Sequence, residues 1–173
     1  LICSALFSLS FYRFMRREFS AVVALLAWAI TRSMLIIAAT AFLMTTDAPT
    51  LLFWWLALIS GYDAMKQDRP RHWVAALFWV GVCVLTKYTA GVLLVCFATA
   101  LLVTPTRRWH LRSVAFWSGV ALFALVISPI IIWNAQHDWV NLAHNSSHLV
   151  SDRGVSFRPR YFFELIGGQF DLV

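Results

Sequence analysis

Long apolar runs separated by short basic clusters dominate this sequence. Apolar runs with few charges are typical of membrane-spanning helices, each of which needs about 20 residues to cross the hydrocarbon core. Only 13% of the residues are charged and 61% are hydrophobic, whereas a soluble domain carries about 25% charged residues. The sequence therefore predicts an all-α fold, a polytopic bundle of transmembrane helices.

The basic residues indicate how this bundle is oriented. Short cytoplasmic loops of membrane proteins carry an excess of Lys and Arg, so we expect the basic clusters to lie on the cytoplasmic side. Because these groups are spread along membrane edges rather than over one face, nucleic acid is excluded as a partner. Nine of the 14 Lys and Arg residues form the three clusters Arg13/Arg16/Arg17, Lys66/Arg69/Arg71 and Arg107/Arg108/Arg112.

If all three clusters share one side, each interval between them contains an even number of crossings. The first interval has two apolar stretches, residues 19–44 and 50–65, separated at Asp47 and Pro49. A proline there opposes one continuous helix. After the third cluster, one further span over residues 113–133 returns outward and ends in a Trp-rich polar corner, as expected at a membrane interface.

The second interval leaves two interpretations open. One straight helix over residues 73–103 would be about 46 Å long at 1.5 Å per residue, longer than the ~30 Å hydrocarbon core. Two short segments, residues 73–86 and 88–103, satisfy the even count and place Lys87 at an outer turn. The alternative is a single tilted helix with Lys87 buried inside the membrane.

The chain has no initiator Met and opens at Leu1 within an apolar run, and another apolar stretch begins near Tyr161. We therefore expect residues 1–173 to be part of one integral membrane domain that is truncated at both ends. The expected fragment has about six to seven membrane segments.

The predicted topology brings three polar segments to the outer face. Asp47 is either a helix cap or a carboxylate that binds a sugar hydroxyl or a divalent ion. Lys87 is either a lysine that extends to the interface or a cation that binds a lipid-anchored phosphate. The third segment, residues 134–160, contains Asn134, His137 and Arg153, and its arginines favour either anionic groups nearby or ordinary solvation.

Other candidate groups give no recognised site. Arg32 lies within the apolar run 19–44, where a charge normally faces the bundle interior or a wet cavity; packing against Thr31, Ser33 or carbonyl groups and substrate binding both remain open. The pair His144 and His148 has the spacing of one helical face but no third ligand for zinc. There is no nucleophile motif and no phosphate-binding glycine loop.

Four motifs resemble elements of the glycosyltransferase family 39, the protein O-mannosyltransferase-like membrane enzymes. Residues 46–54 (TDAPTLLFW) resemble the family's D-A-P-L-L-F-W element, and residues 85–90 (LTKYTA) resemble its S/T-K-Y-T-A element. Residues 128–139, with SP followed by WNAQHDW, resemble the S-P…W-N-x-Q-H-x-W segment of bacterial members. Residues 162–169 (FFELIGGQ) are similar to the F-L-G-G-Q stretch that follows.

This resemblance implies a GT-C type bundle with its active site at the extracytoplasmic surface, in the inner (plasma) membrane of a bacterium. Such enzymes move a sugar from a polyprenyl-phosphate donor to a hydroxyl of a lipid, glycan or protein acceptor. The family's general base lies in a loop upstream of Leu1, so this fragment alone is expected to be inactive.

The resemblance places the family's second outer-loop acid on Asp47, which would either orient the acceptor or hold a divalent cation as cofactor, and it places the lysine near the lipid phosphate on Lys87. Asn134, His137 and Arg153 are further candidates for substrate binding. Departures from the family pattern near residues 145–148 weaken inferences about the acceptor. A transporter or flippase for a lipid-linked sugar, and a non-catalytic membrane scaffold, are the alternatives.

Overall fold

The computed structural model describes residues 1–34, 37 and 45–140, and within them the chain is all-α, as predicted. Two 3-10 segments, Tyr88–Gly91 and Pro105–Arg112, lie before and after the fifth helix. The α-helices of the described residues are α1 (Ile2–Glu18), α2 (Ala21–Ser33), α3 (Asp47–Lys66), α4 (His72–Thr86), α5 (Val92–Val103) and α6 (Val114–Gln136).

The ends of these helices follow from local sequence. The Ser20 side chain accepts a hydrogen bond from the Val23 N–H at the start of α2, and Ser113 does the same for Phe116 at the start of α6. Serine is a favoured N-cap because its oxygen satisfies one of the free N–H groups of the first turn. At the end of α3, Asp68 adopts a left-handed conformation with φ of 53°, the conformation that commonly terminates a helix.

Helices α3 and α4 form an antiparallel hairpin, in which the Thr50 and Thr86 hydroxyl oxygens lie 2.8 Å apart. Helix α6 packs parallel to α4 through close approaches at two glycines. A Cβ on Gly119 would meet the Trp73 carbonyl oxygen at 2.9 Å, and a Cβ on Gly81 would meet Val126 at 3.1 Å. Small residues at such positions allow membrane helices to approach closely.

The chain reverses direction at Lys87. Helix α4 ends at Thr86, Lys87 is extended, and α5 returns so that Phe97 packs edge-on against Trp73 with ring centroids 5.3 Å apart. The prediction of two short segments is therefore confirmed, and the alternative of one continuous helix is wrong. An extended residue followed by a 3-10 turn interrupts the helical hydrogen bonding that one long helix would require.

The three basic clusters meet at one end of the bundle, as the even count of crossings predicts. Arg17 of the first cluster pairs with Asp63, and Lys66 of the second pairs with Glu18. Arg107 of the third pairs with Asp68. We call this the basic end.

The clusters are not simple loops, however. Residues 13–17 lie in the last turns of α1, and residues 107–112 lie in a 3-10 segment. Arginine forms helices well, and cations are favourable near a helix C-terminus, so the helix continues through the first cluster.

Within the described part of the chain, α6 is long and apolar enough to cross a membrane on its own. A second candidate arises if residues 88–103 and 105–112 count as one broken span, bent by 120°. Helices α2 and α4 are apolar but shorter. The described residues thus show one or two candidate spans, and six to seven are not shown.

Candidate functional site

The first and second candidate residues, Asp47 and Lys87, form an ion pair between Lys87 Nζ and Asp47 Oδ1. Asp47 is the first residue of α3, and Lys87 is the extended residue after α4. The two side chains are 43% and 44% exposed, respectively. Hydrogen bonds from Lys87 and then from Thr45 lower the pKa of Asp47 below its ordinary value of 3.8, so the carboxylate is charged at neutral pH.

Contacts between α3 and α4 hold this ion pair in place. The Thr50 and Thr86 hydroxyls meet one turn inside it, and the Cys83 thiol donates to the Thr50 carbonyl oxygen at 3.5 Å. These contacts join the first turn of α3 to the last turn of α4. The two charged side chains are therefore held on a packed helix–helix junction rather than on independent loops, which favours a defined geometry.

The carboxylate of Asp47 does not cap α3. Thr46 occupies the N-cap position and makes no capping hydrogen bond with its side chain. Pro49 lies in the first turn, where its missing N–H costs nothing. The capping interpretation of Asp47 is therefore wrong, because its side chain faces Lys87 across the hairpin instead of its own helix.

The end of α6 forms a second polar corner. The Asn134 carbonyl oxygen accepts hydrogen bonds from the N–H groups of His137 at 3.1 Å and Trp139 at 2.9 Å. Asp138 and Trp139 both have positive φ, 51° and 55°. This conformation is unfavourable for a bulky residue such as tryptophan, and strain of this kind occurs most often at functional sites.

Asn134 and His137 are held in this corner by different kinds of contact. Asn134 is 5% exposed and donates from Nδ2 to the Ile130 carbonyl oxygen, while its Oδ1 has no hydrogen-bond partner among the described residues. The His137 ring stacks on Trp133 at 4.2 Å. A buried acceptor without a partner is costly, so the amide oxygen of Asn134 is available to a donor group of a ligand or a water molecule.

Both polar features lie at the same end of the bundle. Because α4 and α6 run parallel with Gly81 beside Val126, Asn134 lies about 3 Å, roughly half a helical turn, beyond the level of Lys87. Asp47 and Lys66 are the two ends of the 20-residue helix α3, which makes the ion pair about 30 Å distant from the basic end. That separation equals the thickness of a hydrocarbon core.

Arg32 lies apart from these groups. Its Nη1 donates to the Ser4 hydroxyl oxygen at 2.7 Å and joins α2 to α1. Thr31 and Ser33, the partners expected from the sequence, bond instead to carbonyl oxygens of their own helix. Arg32 is therefore packed within the bundle, as one of the two interpretations predicts. Its partner lies on α1 and not on its own helix, α2.

Asp47 does not belong to a metal-binding cluster in the described part of the chain, because no group of three His, Cys, Asp or Glu side chains there could hold an ion. Divalent cations such as Mg²⁺ and Ca²⁺ require several oxygen ligands, and this carboxylate faces an ammonium group. The residues at hand do not fit a metal centre, so no catalytic step is assigned to one, and a metal ion at Asp47 stays a prediction.

Comparison with known proteins decides the family. The model of the dolichyl-phosphate-mannose-protein mannosyltransferase family matches residues 1–133, a stretch that contains α1 to α5 and most of α6. The chain belongs to this family. The predicted resemblance to this family is thereby confirmed, and the motifs at residues 46–54 and 85–90 lie within the matched stretch. No solved structure matches the chain.

This mannosyltransferase-family chain is also similar to a curated protein, the lipid A galacturonosyltransferase RgtD of Rhizobium johnstonii. The two are 31% identical over 140 residues, which make up 79% of this chain and 28% of the relative. The chain thus corresponds to a little over a quarter of that protein's length.

In this member of the mannosyltransferase family, the structure describes some of the candidate residues and not others. The structure brings Asp47 and Lys87 into contact and places Asn134 and His137 at the same end. Arg153, like His144 and His148, lies outside the described residues. The assignment of these residues to substrate binding stays a prediction.

Sequence reasoning missed a buried network at the basic end. His110 is fully buried between Trp73, whose Nε1 lies 2.8 Å from His110 Nδ1, and Asp68, whose Oδ1 lies 2.7 Å from His110 Nε2. Hydrogen bonds from His110 and then from Arg107 lower the pKa of Asp68. The clue in the sequence was an aspartate and a histidine embedded in basic clusters, but their pairing across 42 residues follows only from the fold.

Proposed function

We propose that the full-length protein is a membrane glycosyltransferase that moves a sugar from a polyprenyl-phosphate donor to an acceptor hydroxyl at the extracytoplasmic face. The observation that carries this proposal is the Asp47–Lys87 pair, held on a helix junction at the opposite end of α3 from the basic clusters. Family membership supports the reaction type.

Lys87 has the chemistry that this reaction needs. Transfer breaks the bond between the anomeric carbon of the sugar and a phosphate oxygen, and the bonding electrons remain on the lipid phosphate. A positioned cation stabilises the negative charge as it develops there. The Lys87 side chain is 44% exposed, so a phosphate can approach its ammonium group.

Asp47 then has two tasks. In the resting protein Asp47 orients the Lys87 ammonium. Its lowered pKa keeps the carboxylate anionic, so that it can pair with this cation. When the donor phosphate contacts Lys87, the carboxylate becomes free to accept a hydrogen bond from a hydroxyl of the sugar or the acceptor. Asn134, whose buried Oδ1 has no partner among residues 1–34, 37 and 45–140, accepts from a second hydroxyl at the same end.

A membrane setting is supported by the surface of the described helices. Large apolar side chains are exposed on α2, where Val22 is 68% and Ile30 is 64% exposed, and on α6, where Leu125 is 68% exposed. Apolar surface of this extent has to be covered by lipid or by other helices. In this proposal the basic end faces the cytoplasm of a bacterium, and about six to seven segments cross or enter the bilayer when the whole chain is counted.

The similarity to a lipid A galacturonosyltransferase makes a glycolipid the first acceptor to test. The acceptor hydroxyl attacks the anomeric carbon, and its proton passes to a general base. No described residue of this chain is assigned that role, and the motif resemblance places it upstream of Leu1.

The experiment is a transfer assay with the full-length protein in membranes, using labelled polyprenyl-phosphate sugars. Lys87→Ala should reduce transfer by about 100- to 1,000-fold, the usual effect of removing one group that stabilises developing charge. Lys66→Ala is the matched control, because Lys66 also pairs with a carboxylate on another helix but lies at the basic end. Full activity of Lys87→Ala, or equal losses in both variants, would contradict the assignment.

A further inference from the structure

A groove with a volume of about 270 Å³ opens between α1 and α3 near the basic end. The lining residues on α1 repeat at intervals of three or four positions, so their side chains share one face of the helix. The residues that line it are Leu9, Ser10, Arg13, Phe14, Arg17 and Ile59.

The groove is polar at one end and apolar at the other. Helices α1 and α3 run parallel, as shown by the contacts of Phe14 with Tyr62 and of Arg17 with Asp63. Arg13 and Arg17 therefore lie toward the basic end, whereas Leu9 and Ile59 lie toward the middle of the bundle. A ligand that fills the groove needs an anionic head and an apolar tail.

The two arginines differ in their charge balance. The Arg17 guanidinium is bound by Asp63 through two hydrogen bonds of 3.0 and 2.6 Å and by Glu18 through one of 2.9 Å, and it lies over the Phe14 ring at 5.2 Å. Together with Lys66, which also binds Glu18, these groups balance in charge.

Arg13 is exposed and has neither an ion pair nor a hydrogen bond in the part of the chain that the structure describes. It contributes one uncompensated positive charge at the mouth of the groove. Arg17, bound by Asp63 and Glu18, lines the groove about one helical turn closer to the basic end.

We propose that this groove binds an anionic phospholipid of the cytoplasmic leaflet. The lipid phosphate contacts the guanidinium of Arg13, and one acyl chain lies along Leu9 and Ile59 toward the membrane centre. Charge complementarity selects the head, and the apolar floor distinguishes a lipid from a free phosphate ion. The lipid bridges α1 and α3 next to the Arg17–Asp63 pair and holds these helices together.

This inference rests on the membrane orientation given above, with the basic end toward the cytoplasm, but not on sugar transfer. The binding experiment contains no sugar donor. Its failure would therefore leave the transferase proposal intact, and loss of transfer in Lys87→Ala would say nothing about this groove.

The test is native mass spectrometry of the full-length protein in neutral detergent, with phosphatidylglycerol or phosphatidylcholine added at equal concentration. We expect the wild-type protein to retain phosphatidylglycerol preferentially. Arg13→Gln should reduce that preference by about fivefold, the contribution of one cation near an anionic lipid. Arg16→Gln is the matched control, since Arg16 is exposed on the same helix but does not line the groove.

Two further measurements identify the ligand. Leu9→Gln, at a residue that is 45% exposed, should weaken phosphatidylglycerol binding without changing the thermal unfolding temperature measured in lipid-free detergent. Inorganic phosphate at the same concentration should not displace the lipid. Equal retention of both lipids, equal losses in Arg13→Gln and Arg16→Gln, or displacement of the lipid by inorganic phosphate would overturn the proposal.

Discussion

Replacing Trp73 by Phe tests how the basic end is held together. Trp73 and His110 are both fully buried, and the indole Nε1–H points at His110 Nδ1, 2.8 Å away. An indole nitrogen can only donate, so Nδ1 accepts this hydrogen bond, and the ring proton on Nε2 is donated to Asp68. The network therefore fixes one tautomer of His110 and ties the 3-10 segment after α5 to the start of α4.

The size of the effect follows from the burial of the acceptor. Trp73→Phe keeps an aromatic ring but leaves Nδ1 of His110 unpaired in a site without solvent, which costs about 1–3 kcal/mol. The smaller ring also leaves a void against Phe97 and Phe116, its edge-on neighbours, and a void adds a cost of the same sign. The expected loss of unfolding free energy is therefore at least about 1 kcal/mol.

The assay is equilibrium unfolding of the full-length protein by denaturant in detergent micelles, followed by far-ultraviolet circular dichroism. Trp109→Phe is the control, because its indole also donates to Asp68, at 3.2 Å, but is 46% exposed. Water replaces that bond, so the change should stay within about 0.5 kcal/mol. If the two variants lost the same stability, the buried His110 network would not hold this end of the fold as described.

Three further predictions concern the helix contacts and the ion pair. Gly119→Ala should cost about 1–3 kcal/mol in the same unfolding assay, since its Cβ would lie 2.9 Å from a backbone oxygen of α4; Gly91→Ala, with nothing within 4 Å, should change stability by less than about 0.5 kcal/mol. Ser113→Ala removes the N-cap of α6 and should cost about 1 kcal/mol, measured in the same way. The folded-state pKa of Asp47 lies below 3.8, so the stability difference between wild type and Lys87→Ala should persist above that pH and vanish as the pH falls through the lowered pKa; unfolding temperatures across this range check it.

Much of the topology could be predicted from the sequence because it depends on charge and helix breaking. Pro49 and Lys87 interrupt apolar runs, and the structure begins α3 at Asp47 and ends α4 at Thr86. The even number of crossings between basic clusters also follows from the positive-inside rule alone. These features are local in sequence or set by the membrane.

Contacts between distant segments could not be predicted in the same way. The basic clusters are typical of short cytoplasmic loops, yet the structure pairs them with Glu18, Asp63 and Asp68. Nothing in the sequence indicates Ser4 as the partner of Arg32. Such pairings depend on helix direction and register, which one sequence without its fold does not specify.

The candidate site was predicted in part. Motif resemblance selected Asp47 and Lys87, and their direct contact depends on the α3–α4 hairpin. The buried amide of Asn134 and the strained backbone at Trp139 could not be foreseen, because burial and φ are properties of the folded corner.

The most direct test of this account is the side of the membrane from which Lys87 can be reached. In a full-length variant whose native cysteines are replaced, single cysteines are introduced as Lys87→Cys or Arg108→Cys and labelled in intact cells with a membrane-impermeant maleimide. The account predicts that position 87 reacts in intact cells and that position 108 reacts only after the membrane is permeabilised. Labelling of position 87 solely from the cytoplasm would contradict it.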